Sequence, residues 1–380
     1  MEKRISILFD SYHLYHLPQF EPLIDLLSND KRFNIYHSVS RDIKNIEYEL
    51  CAKILKQKPG SFIFADNEEK RKKIIKNLNL DVFICGWSRY SLKDFVNDKT
   101  LVGMIYHGIG VKPSYWLDNN DRLDLRFVEG EYRMNQLRNN GVKTDLTLTG
   151  YIKLDPLFKD DGIRINSDIE KLALNLNPDK KTILFAPTFY PSSAEKIGLN
   201  LGEYTKGYNL LIKPHLWTVF LNKFGQVDLR PQRELFYALK EKYKHIHLIE
   251  PDQYNITPYY KISDLLLTEA SSTIYEMLAL GKPVVINRFF KLKLSHRIFK
   301  YRLYRKRLNK EMSSDISKFC FEVDRPASIP KIIEEAFAKN ENCKHEIREF
   351  QDKMLYKLDG KASERARDAI LSKLHKSNRC

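Results

Sequence analysis

The stretch Thr268–Ile286, TEASSTIYEMLALGKPVVI, joins two apolar runs through a short segment with helical spacing. The run DLLL comes directly before Thr268, and VVI closes the stretch. Between them Ile274, Met277 and Leu278 recur on one helix face, and a glycine and a proline then end the pattern. A strand, a helix and a strand in this order predict a βαβ unit with parallel strands.

The same alternation extends along most of the chain. The first 150 residues contain the runs RISILFD, FNIYHSV, SFIFAD, DVFICGW, LVGMIYHG, LRFVEG and LTLTGY. After an irregular stretch at 155–181, where one helix is expected, come TILFAPT, YNLLIKPH, IHLIEP, DLLLTE, KPVVIN and SKFCFEV. Two blocks of alternating strands and helices predict an α/β protein with two Rossmann-like, doubly wound domains facing each other across a cleft. We expect an N-terminal domain over 1–160, a C-terminal domain over 161–340, and helices over 341–380 that cross back toward the N-terminal domain.

The composition is that of a soluble globular protein with an affinity for anions. Of 380 residues, 43% are hydrophobic and 30% charged, and the formal net charge of +15 favours an anionic partner. The five cysteines form no CxxC pair, which indicates a reducing compartment without disulfides or a zinc site. There is no signal-peptide pattern and no apolar run of about 20 residues that could span a bilayer. We therefore expect a cytoplasmic protein.

Polar residues follow the strands of the second half, where open α/β sheets bind ligands. After TILF comes a threonine, and after NLLI come a lysine and a histidine in the sequence Lys-Pro-His. After DLLL come a glutamate and three hydroxyl residues. The hydroxyl groups, the lysine and the histidine suit a phosphate or diphosphate; they belong to Thr188, Lys213, His215, Ser271, Ser272 and Thr273, and Glu269 lies among them at the same edge.

Two explanations fit the hydroxyl residues that begin the helix in the opening stretch. Free amide groups and the helix dipole attract an anion, and small hydroxyls add hydrogen-bond donors. Alternatively, Thr273 and Glu276 form a capping box that only stabilises the helix. The carboxylate of Glu276 could also accept hydrogen bonds from ribose hydroxyls.

The first half contains one loop of similar interest, YHGIGVK, from Tyr106 to Lys112. His107 ends a buried strand, and a glycine next to it permits close approach of a ligand. An imidazole that titrates near neutral pH suits a general base. A packed structural histidine at a tight turn is the alternative.

These motifs occur in an order that resembles the CDP-glycerol glycerophosphotransferase family, the teichoic acid primases and polymerases. They are His107-Gly108-x-x-x-Lys112, Gly150-Tyr151-x-x-x-Asp155, Ala186-Pro187-Thr188, Lys213-Pro214-His215 and Ser271-Ser272. The resemblance covers about residues 100 to 290. It implies the GT-B fold, with an acceptor domain followed by a nucleotide-donor domain.

The resemblance also implies a reaction and a set of site residues. A hydroxyl of a lipid-linked or polymeric surface glycan would attack the β-phosphorus of CDP-glycerol and release CMP. The catalytic residues would be His107, as the base, and His215. The donor would be held by Thr188, Lys213, His215, Glu269, Ser271, Ser272, Thr273 and Glu276.

The chain departs from the family pattern in ways that leave the donor open. It has Ile109-Gly110 where the family usually has Thr-Pro, and Glu269-Ala270 where Asp-Tyr is usual. A related CDP-polyol such as CDP-ribitol is a second possible donor. No DxD sequence occurs, consistent with a site without metal or other cofactor, in which Lys213, His215 and the helix dipole offset the diphosphate charge.

The segment 288–310 holds ten lysines and arginines and no acidic residue, with aromatic residues and leucines interleaved. This composition suits an anionic membrane surface, and so predicts a peripheral position on the inner face of the cell membrane. A solvated helix face is the plain alternative. RNA binding lacks a supporting motif, so we expect no nucleic-acid partner.

Three other functions fit the same sequence. A GT-B glycosyltransferase could use a nucleotide sugar to build capsule, lipopolysaccharide or another surface polysaccharide. A UDP-sugar 2-epimerase could have the same fold. A basic binding protein without enzymatic activity would bind lipid or RNA and no nucleotide.

Overall fold

The computed structural model of the chain describes residues 4–88, 91–110, 114–117, 120–159, 174–306 and 316–377. The chain forms two compact units. Unit 1 comprises Met1–Ile109, Ser114–Asp160 and Asp352–Cys380, and unit 2 comprises Gly110–Pro113 and Asp161–Gln351. Within the stretch 155–181, where one helix is predicted, residues 160–173 lie outside the described residues.

The strands are β1 Ile5–Ser11, β2 Phe33–Val39, β3 Ser61–Phe62, β4 Val82–Cys85, β5 Leu101–Ile105, β6 Leu125–Val128, β7 Asp145–Leu148, β8 Thr182–Ala186, β9 Asn209–Ile212, β10 Lys223–Phe224, β11 Val227–Asp228, β12 Ile246–Leu248, β13 Leu265–Thr268, β14 Val284–Asn287 and β15 Phe321–Val323. The helices are α1 Leu17–Ser28, α2 Asn45–Leu55, α3 Glu68–Asn77, α4 Ser114–Leu117, α5 Glu131–Asn139, α6 Asp155–Phe158, α7 Ala194–Ile197, α8 Asn200–Tyr204, α9 Leu216–Phe220, α10 Arg230–Lys242, α11 Thr257–Ile262, α12 Thr273–Leu278, α13 Leu294–Ile298, α14 Lys300–Lys306, α15 Ile329–Lys339, α16 Lys344–Met354 and α17 Ala362–Ser377.

Unit 1 contains a seven-stranded sheet in the order β3-β2-β1-β4-β5-β6-β7. All neighbouring strands are parallel, which is the arrangement of a doubly wound Rossmann sheet. Ile7, Leu8 and Phe9 in β1 are fully buried, as expected of a strand covered on both faces. The strand order reverses between β1 and β4, so a ligand crevice is expected at the carboxyl ends of these two strands.

Unit 2 contains a six-stranded parallel sheet in the order β12-β9-β8-β13-β14-β15. When the six strands of this sheet are numbered along the chain, their order is again the Rossmann order 3-2-1-4-5-6. The reversal lies between β8 and β13, where Thr268 pairs with Ala186 and donates its hydroxyl to the Ala186 carbonyl at 2.7 Å. The loops that follow these two strands therefore flank the expected ligand crevice of unit 2.

The predicted strands all occur, although several are shorter than the apolar runs. FNIYHSV coincides with β2, whereas SFIFAD contributes only the two residues of β3 at the sheet edge. Phe64, in the rest of that run, is 58% exposed, because β3 pairs on one side only. The small antiparallel hairpin of β10 and β11 was not predicted, since each strand has only two residues.

Helix α12 confirms the helix that was predicted in the opening stretch. Gly281 lies just beyond its end and has a φ of +66°, a conformation that favours glycine. The predicted capping box is wrong. Ser272, not Thr273, is the N-cap residue, and its side chain caps no amide. Glu276 is fully buried and accepts a hydrogen bond from the Tyr260 hydroxyl at 2.6 Å.

The Gly150-Tyr151-x-x-x-Asp155 motif attaches the C-terminal segment to unit 1. The buried carboxylate of Asp155 accepts hydrogen bonds from the backbone amides of Ala362 (3.0 Å) and Ser363 (2.7 Å), and from the Ser363 hydroxyl. These amides begin α17, so Asp155 caps that helix from a distant part of the sequence. Gly150 has a φ of +89°, and a Cβ there would lie 2.5 Å from the Tyr356 carbonyl oxygen. Both motif residues are therefore structural.

The described part of the basic segment 288–310 comprises α13 and α14 with their flanking residues, and 307–310 lie outside the described residues. Leu294 is 70% exposed, Ile298 64% and Tyr301 58%. Among the described residues, no helix is both long enough and apolar enough to cross a membrane. The four described cysteines, Cys51, Cys85, Cys320 and Cys343, are free thiols.

Candidate active site

In unit 2 the sheet brings the predicted donor-binding residues to one edge. Thr188 follows β8, Lys213 and His215 follow β9, and Ser271 and Ser272 follow β13. These three strands are neighbours in the order β9-β8-β13. The outer two are two strand spacings apart, about 10 Å. Residues that are distant in sequence thus share the carboxyl end of the sheet at the point where the strand order reverses.

Glu269, directly after β13, fixes the loop that follows β8. Its carboxylate accepts hydrogen bonds from the backbone amides of Thr188 (2.5 Å) and Ser193 (2.9 Å) and from the Ser193 hydroxyl (2.6 Å). The Ser192 hydroxyl donates a longer bond at 3.4 Å. Glu269 is fully buried, and its burial raises the pKa of the carboxyl to about 7, although the hydrogen bonds from Ser193 and Thr188 act to lower that pKa.

These bonds engage the polar groups of Glu269 and Thr188, two residues that were expected to hold the donor. The direct nucleotide contact expected of Glu269 requires an accessible carboxylate, whereas this one lies inside the unit and holds the loop. Thr188 donates its amide to Glu269 and its hydroxyl to the carbonyl of Pro191. Both Thr188 donors therefore stabilise the loop. Glu276, expected to contact the ribose, is also fully buried and accepts a hydrogen bond from Tyr260, and the ribose contact stays a prediction.

Two amide side chains that the sequence did not single out hold the same loop. Asn287, at the end of β14, donates to the Ser193 hydroxyl at 2.9 Å. Gln232 on α10 donates to the Ser192 hydroxyl at 2.8 Å and to the Thr188 carbonyl at 3.1 Å. The sequence could have indicated Asn287 as a candidate, because this residue ends an apolar strand at the same edge of the sheet. Gln232 gives no such signal, since it lies on a helix and its partners are distant in sequence.

Lys213 and His215 present donors at the end of β9. The backbone amide of Lys213 continues the sheet by donating to the Phe185 carbonyl at 2.9 Å, and the residue is only 6% exposed. His215 is the N-cap of α9, and its Nδ1 accepts a hydrogen bond from the Trp217 amide at 3.1 Å. In the neutral ring the proton is then on Nε2. His215 is therefore set up to donate from Nε2 to an anion, and this tautomer does not suit a base at that atom.

The three hydroxyl residues after β13 are half-buried. Ser271 accepts a hydrogen bond from the Thr273 amide at 3.3 Å, and the Thr273 and Thr268 hydroxyls lie 3.3 Å apart. Because the Thr268 hydroxyl donates to Ala186, the Thr273 hydroxyl is the donor between the two threonines. Ser271 and Ser272 thus keep some accessible surface, and a serine hydroxyl can donate to phosphate oxygens.

In unit 1, His107 lies just beyond β5 and is half-buried. Its Nδ1 is 3.1 Å from the Gly86 carbonyl oxygen. A carbonyl can only accept, so Nδ1 carries the proton and Nε2 has the lone pair. This is the tautomer that a general base requires at Nε2. Lys112, the last residue of the same motif, lies outside the described residues.

Aromatic rings from two other strand ends, those of β1 and β4, surround His107. The ring of His16 stacks at 5.0 Å, and the rings of Tyr15 and Trp87 lie at 5.4 and 5.6 Å. Gly86 makes room for this packing, because a Cβ there would lie 2.7 Å from Nδ1 of His16. The residues after β1 were not singled out from the sequence, although two histidines directly after the first strand were a usable signal.

The chain matches one protein family over most of its length. The model of that family, described as CDP-Glycerol:Poly(glycerophosphate) glycerophosphotransferase, matches residues 28–372. No curated protein matches the sequence. The family match confirms the resemblance that the ordered motifs predicted and the expected class of transferase.

Solved structures with the same architecture have low sequence identity to the chain. The wall teichoic acid polymerase TagF, in a crystal soaked with CDPG, is 17% identical with a TM-score of 0.68, covering 98% of this chain and 89% of TagF. MnaA of S. aureus with UDP is 15% identical with a TM-score of 0.60, covering 98% and 97%. The UDP-GlcNAc 2-epimerase of Neisseria meningitidis is 15% identical with a TM-score of 0.58, covering 97% and 100%. These similarities confirm the predicted fold class, α/β with two Rossmann-like domains of the GT-B kind.

The raised pKa of Glu269 makes a pH-dependent contribution to the stability of unit 2. Its pKa is about 7 in the folded protein against 4.5 ordinarily, so the folded state binds more protons between these values. The free energy of unfolding should therefore fall as the pH rises from about 4.5 to about 7. Relative to Glu269→Gln, which cannot titrate, the wild type should lose up to about 3 kcal/mol over this window.

The free energy of unfolding of the wild type and of Glu269→Gln is measured in urea at pH 5 and pH 8. Hydrogen exchange of peptides from β8 and β13 reports the unfolding of unit 2. Glu241→Gln, an exposed position on α10, is the matched control and should behave as the wild type at both pH values. A wild-type advantage over Glu269→Gln that stays constant or grows between pH 5 and pH 8 would contradict the prediction.

Proposed function

This chain belongs to the CDP-glycerol:poly(glycerophosphate) glycerophosphotransferase family, and we propose that it transfers glycerol phosphate from CDP-glycerol to a hydroxyl of a lipid-linked or polymeric surface glycan. CMP is the leaving product. The observation that carries the proposal is the convergence of Lys213, His215, Ser271 and Ser272 at the strand-order reversal of unit 2.

The donor diphosphate would bind at this edge of unit 2. The ammonium group of Lys213 supplies a positive charge, Nε2 of His215 supplies a hydrogen bond, and Ser271 and Ser272 supply hydroxyl donors. Fixed donors of this kind stabilise developing charge on a leaving phosphate most strongly when they need no rearrangement. Glu269 provides that rigidity by holding the neighbouring loop. Together these groups would offset the diphosphate charge without a metal ion or other cofactor.

His107 would act as the general base. Its Nε2 takes the proton from the acceptor hydroxyl as the acceptor oxygen bonds to the β-phosphorus of CDP-glycerol. The bond from this phosphorus to the bridging oxygen breaks, and CMP leaves with the electron pair on its phosphate oxygen. Nδ1 stays hydrogen-bonded to the Gly86 carbonyl, which keeps the ring oriented during proton transfer. His215 would contribute by donating to the phosphates.

The basic segment would hold the enzyme against an anionic membrane surface, on the inner face of the cell membrane, where lipid-linked acceptors are accessible. Leu294, Ile298 and Tyr301 are exposed apolar or aromatic side chains. Arg297 and Lys300 lie among them in the sequence. Apolar side chains that enter the headgroup region, flanked by cations, give reversible binding that weakens with salt.

The donor and the base can be tested in one set of assays. CDP-glycerol at about 100 times its Kd should stabilise the protein by about 2.7 kcal/mol in a thermal-shift assay, and UDP-GlcNAc should not. CDP-ribitol is the second donor to screen. His107→Asn keeps a donor near the Nδ1 position and lacks the Nε2 base, so CMP release should fall by about 10² to 10⁴ with donor binding unchanged.

His345→Gln, at a side chain that is 80% exposed, is the control and should retain full turnover. Wild-type turnover by His107→Asn would show that another group is the base. Release of UDP from UDP-GlcNAc, or isomerisation of that compound without an acceptor, would replace the proposed function with a glycosyltransferase or an epimerase.

Membrane binding should depend on the basic segment. The double change Arg297→Glu and Lys300→Glu should weaken binding to vesicles of anionic lipid at least about tenfold, since each cation near the surface contributes ~1 kcal/mol. Sedimentation with vesicles at low and high salt measures it. Lys53→Glu with Lys73→Glu, two exposed positions in unit 1, is the charge-matched control. Equal losses in both double variants would refute a local membrane site.

A further inference from the structure

A second histidine in unit 1 is held by a buried carboxylate. His13 lies two residues beyond β1, and its Nδ1 is 3.1 and 3.3 Å from the two carboxylate oxygens of Glu47 on α2. Glu47 also accepts the backbone amide of Leu14 at 3.0 Å, which fixes the carboxylate itself. The Glu47 side chain is 2% exposed and that of His13 is 12% exposed. The carboxylate is thus enclosed, while part of the imidazole reaches the surface.

This contact sets the tautomer of His13. A carboxylate only accepts hydrogen bonds, so Nδ1 carries a proton, and in the neutral ring the lone pair is on Nε2. A carboxylate in this position also orients the ring and stabilises it when Nε2 receives a hydrogen bond or a proton. His13 is therefore built as a hydrogen-bond acceptor for a hydroxyl group.

His13 belongs to the same ring cluster as His107. Its ring stacks on that of Tyr15 at 4.9 Å and lies 5.5 Å from Trp87 and 6.0 Å from His16. Each of these three rings also contacts His107. The two histidines therefore line one cluster at the carboxyl ends of β1, β4 and β5. Tyr15 and His13 itself are half-buried, so both residues keep some accessible surface.

We propose that His13, oriented by Glu47, binds a hydroxyl of the acceptor and so positions the acceptor for deprotonation by His107. The inference rests on the proposed function, because it assigns the acceptor side of that same reaction. The acceptor would be the polyol end of such a lipid-linked or polymeric glycan, and this end carries more than one hydroxyl. One hydroxyl donates to Nε2 of His13, while the attacking hydroxyl loses its proton to His107. Polyol carbons can pack on the face of Tyr15.

The competing explanation is structural, with the His13–Glu47 pair only holding the loop after β1. Two substitutions separate the explanations, because asparagine places an amide near the Nδ1 position and glutamine places one near Nε2. His13→Asn keeps a donor for Glu47 and lacks the acceptor group. His13→Gln weakens the bond to Glu47 and keeps a polar group near the Nε2 position. Glu47→Gln removes the charge and keeps one oxygen to accept from Leu14 or His13.

The assay measures CMP release by the full-length protein from CDP-glycerol, with and without a synthetic oligo(glycerol phosphate) as acceptor. His13→Asn should lower kcat/KM for this acceptor by about 10- to 100-fold, mainly through a higher acceptor KM. His13→Gln should recover part of that loss. Hydrolysis of CDP-glycerol without acceptor, and thermal stabilisation by CDP-glycerol, should stay at wild-type values. Glu47→Gln should follow His13→Asn, whereas Glu49→Gln, an exposed position on the same helix, should not change transfer.

The outcomes distinguish this inference from the function on which it rests. Wild-type transfer by His13→Asn, together with reduced transfer by His13→Gln, would show that the His13–Glu47 pair only holds the loop after β1. This result would overturn the inference. Equal loss of transfer, hydrolysis and donor binding in every His13 and Glu47 variant would also overturn it, since the effect would not be on the acceptor. Absence of CMP release by the wild type would overturn the proposed function, and the acceptor site with it.

Discussion

The buried carboxylate of Glu269 is the constraint on which the rest of the donor site depends. A carboxylate in the interior is costly unless several donors satisfy it. Here the donors come from the loop after β8, through Thr188, Ser192 and Ser193. Satisfying the carboxylate therefore fixes that loop against the end of β13. Asn287 and Gln232 complete the arrangement from two other elements. These bonds hold the loop at the strand-order reversal in place before any ligand binds.

The two units use the same sheet topology for different chemistry. In each unit the strand order reverses beside the first strand, and functional side chains follow the strands at that edge. Nδ1 of His107 faces a carbonyl acceptor, whereas Nδ1 of His215 accepts an amide. These opposite contacts leave a lone pair on Nε2 of His107 and a proton on Nε2 of His215. Unit 1 can thus accept a proton from a hydroxyl, and unit 2 can donate to an anion.

The sequence predicted the features that depend on local pattern. Apolar runs located the parallel strands, and the rule that ligands bind at strand ends singled out His107, Lys213, His215 and Ser271 as candidates, whose roles stay predictions. Features that depend on packing could not be read in the same way. Glutamates with exposed and buried carboxylates look alike in a sequence, so Glu269 was predicted to contact the nucleotide although it is fully buried.

Contacts between distant segments explain the other differences. The Thr273–Glu276 spacing fits a capping box, but in the folded protein the carboxylate of Glu276 accepts a hydrogen bond from the Tyr260 hydroxyl. Likewise Asp155 caps a helix that begins more than 200 residues later in the sequence. Neither bond follows from periodicity or motif spacing. The sequence could show which residue types were available at the strand ends, and the fold decided which of them stay accessible.

The central claim is that the carboxyl edge of β8, β9 and β13 binds the donor diphosphate. A crystal structure of the chain with CDP-glycerol tests it most directly. The diphosphate should lie within hydrogen-bond distance of the Lys213 ammonium, Nε2 of His215 and a hydroxyl of Ser271 or Ser272, with the loop held by Glu269 unchanged. A diphosphate bound away from these strand ends, with no contact to Lys213 or His215, would contradict the account.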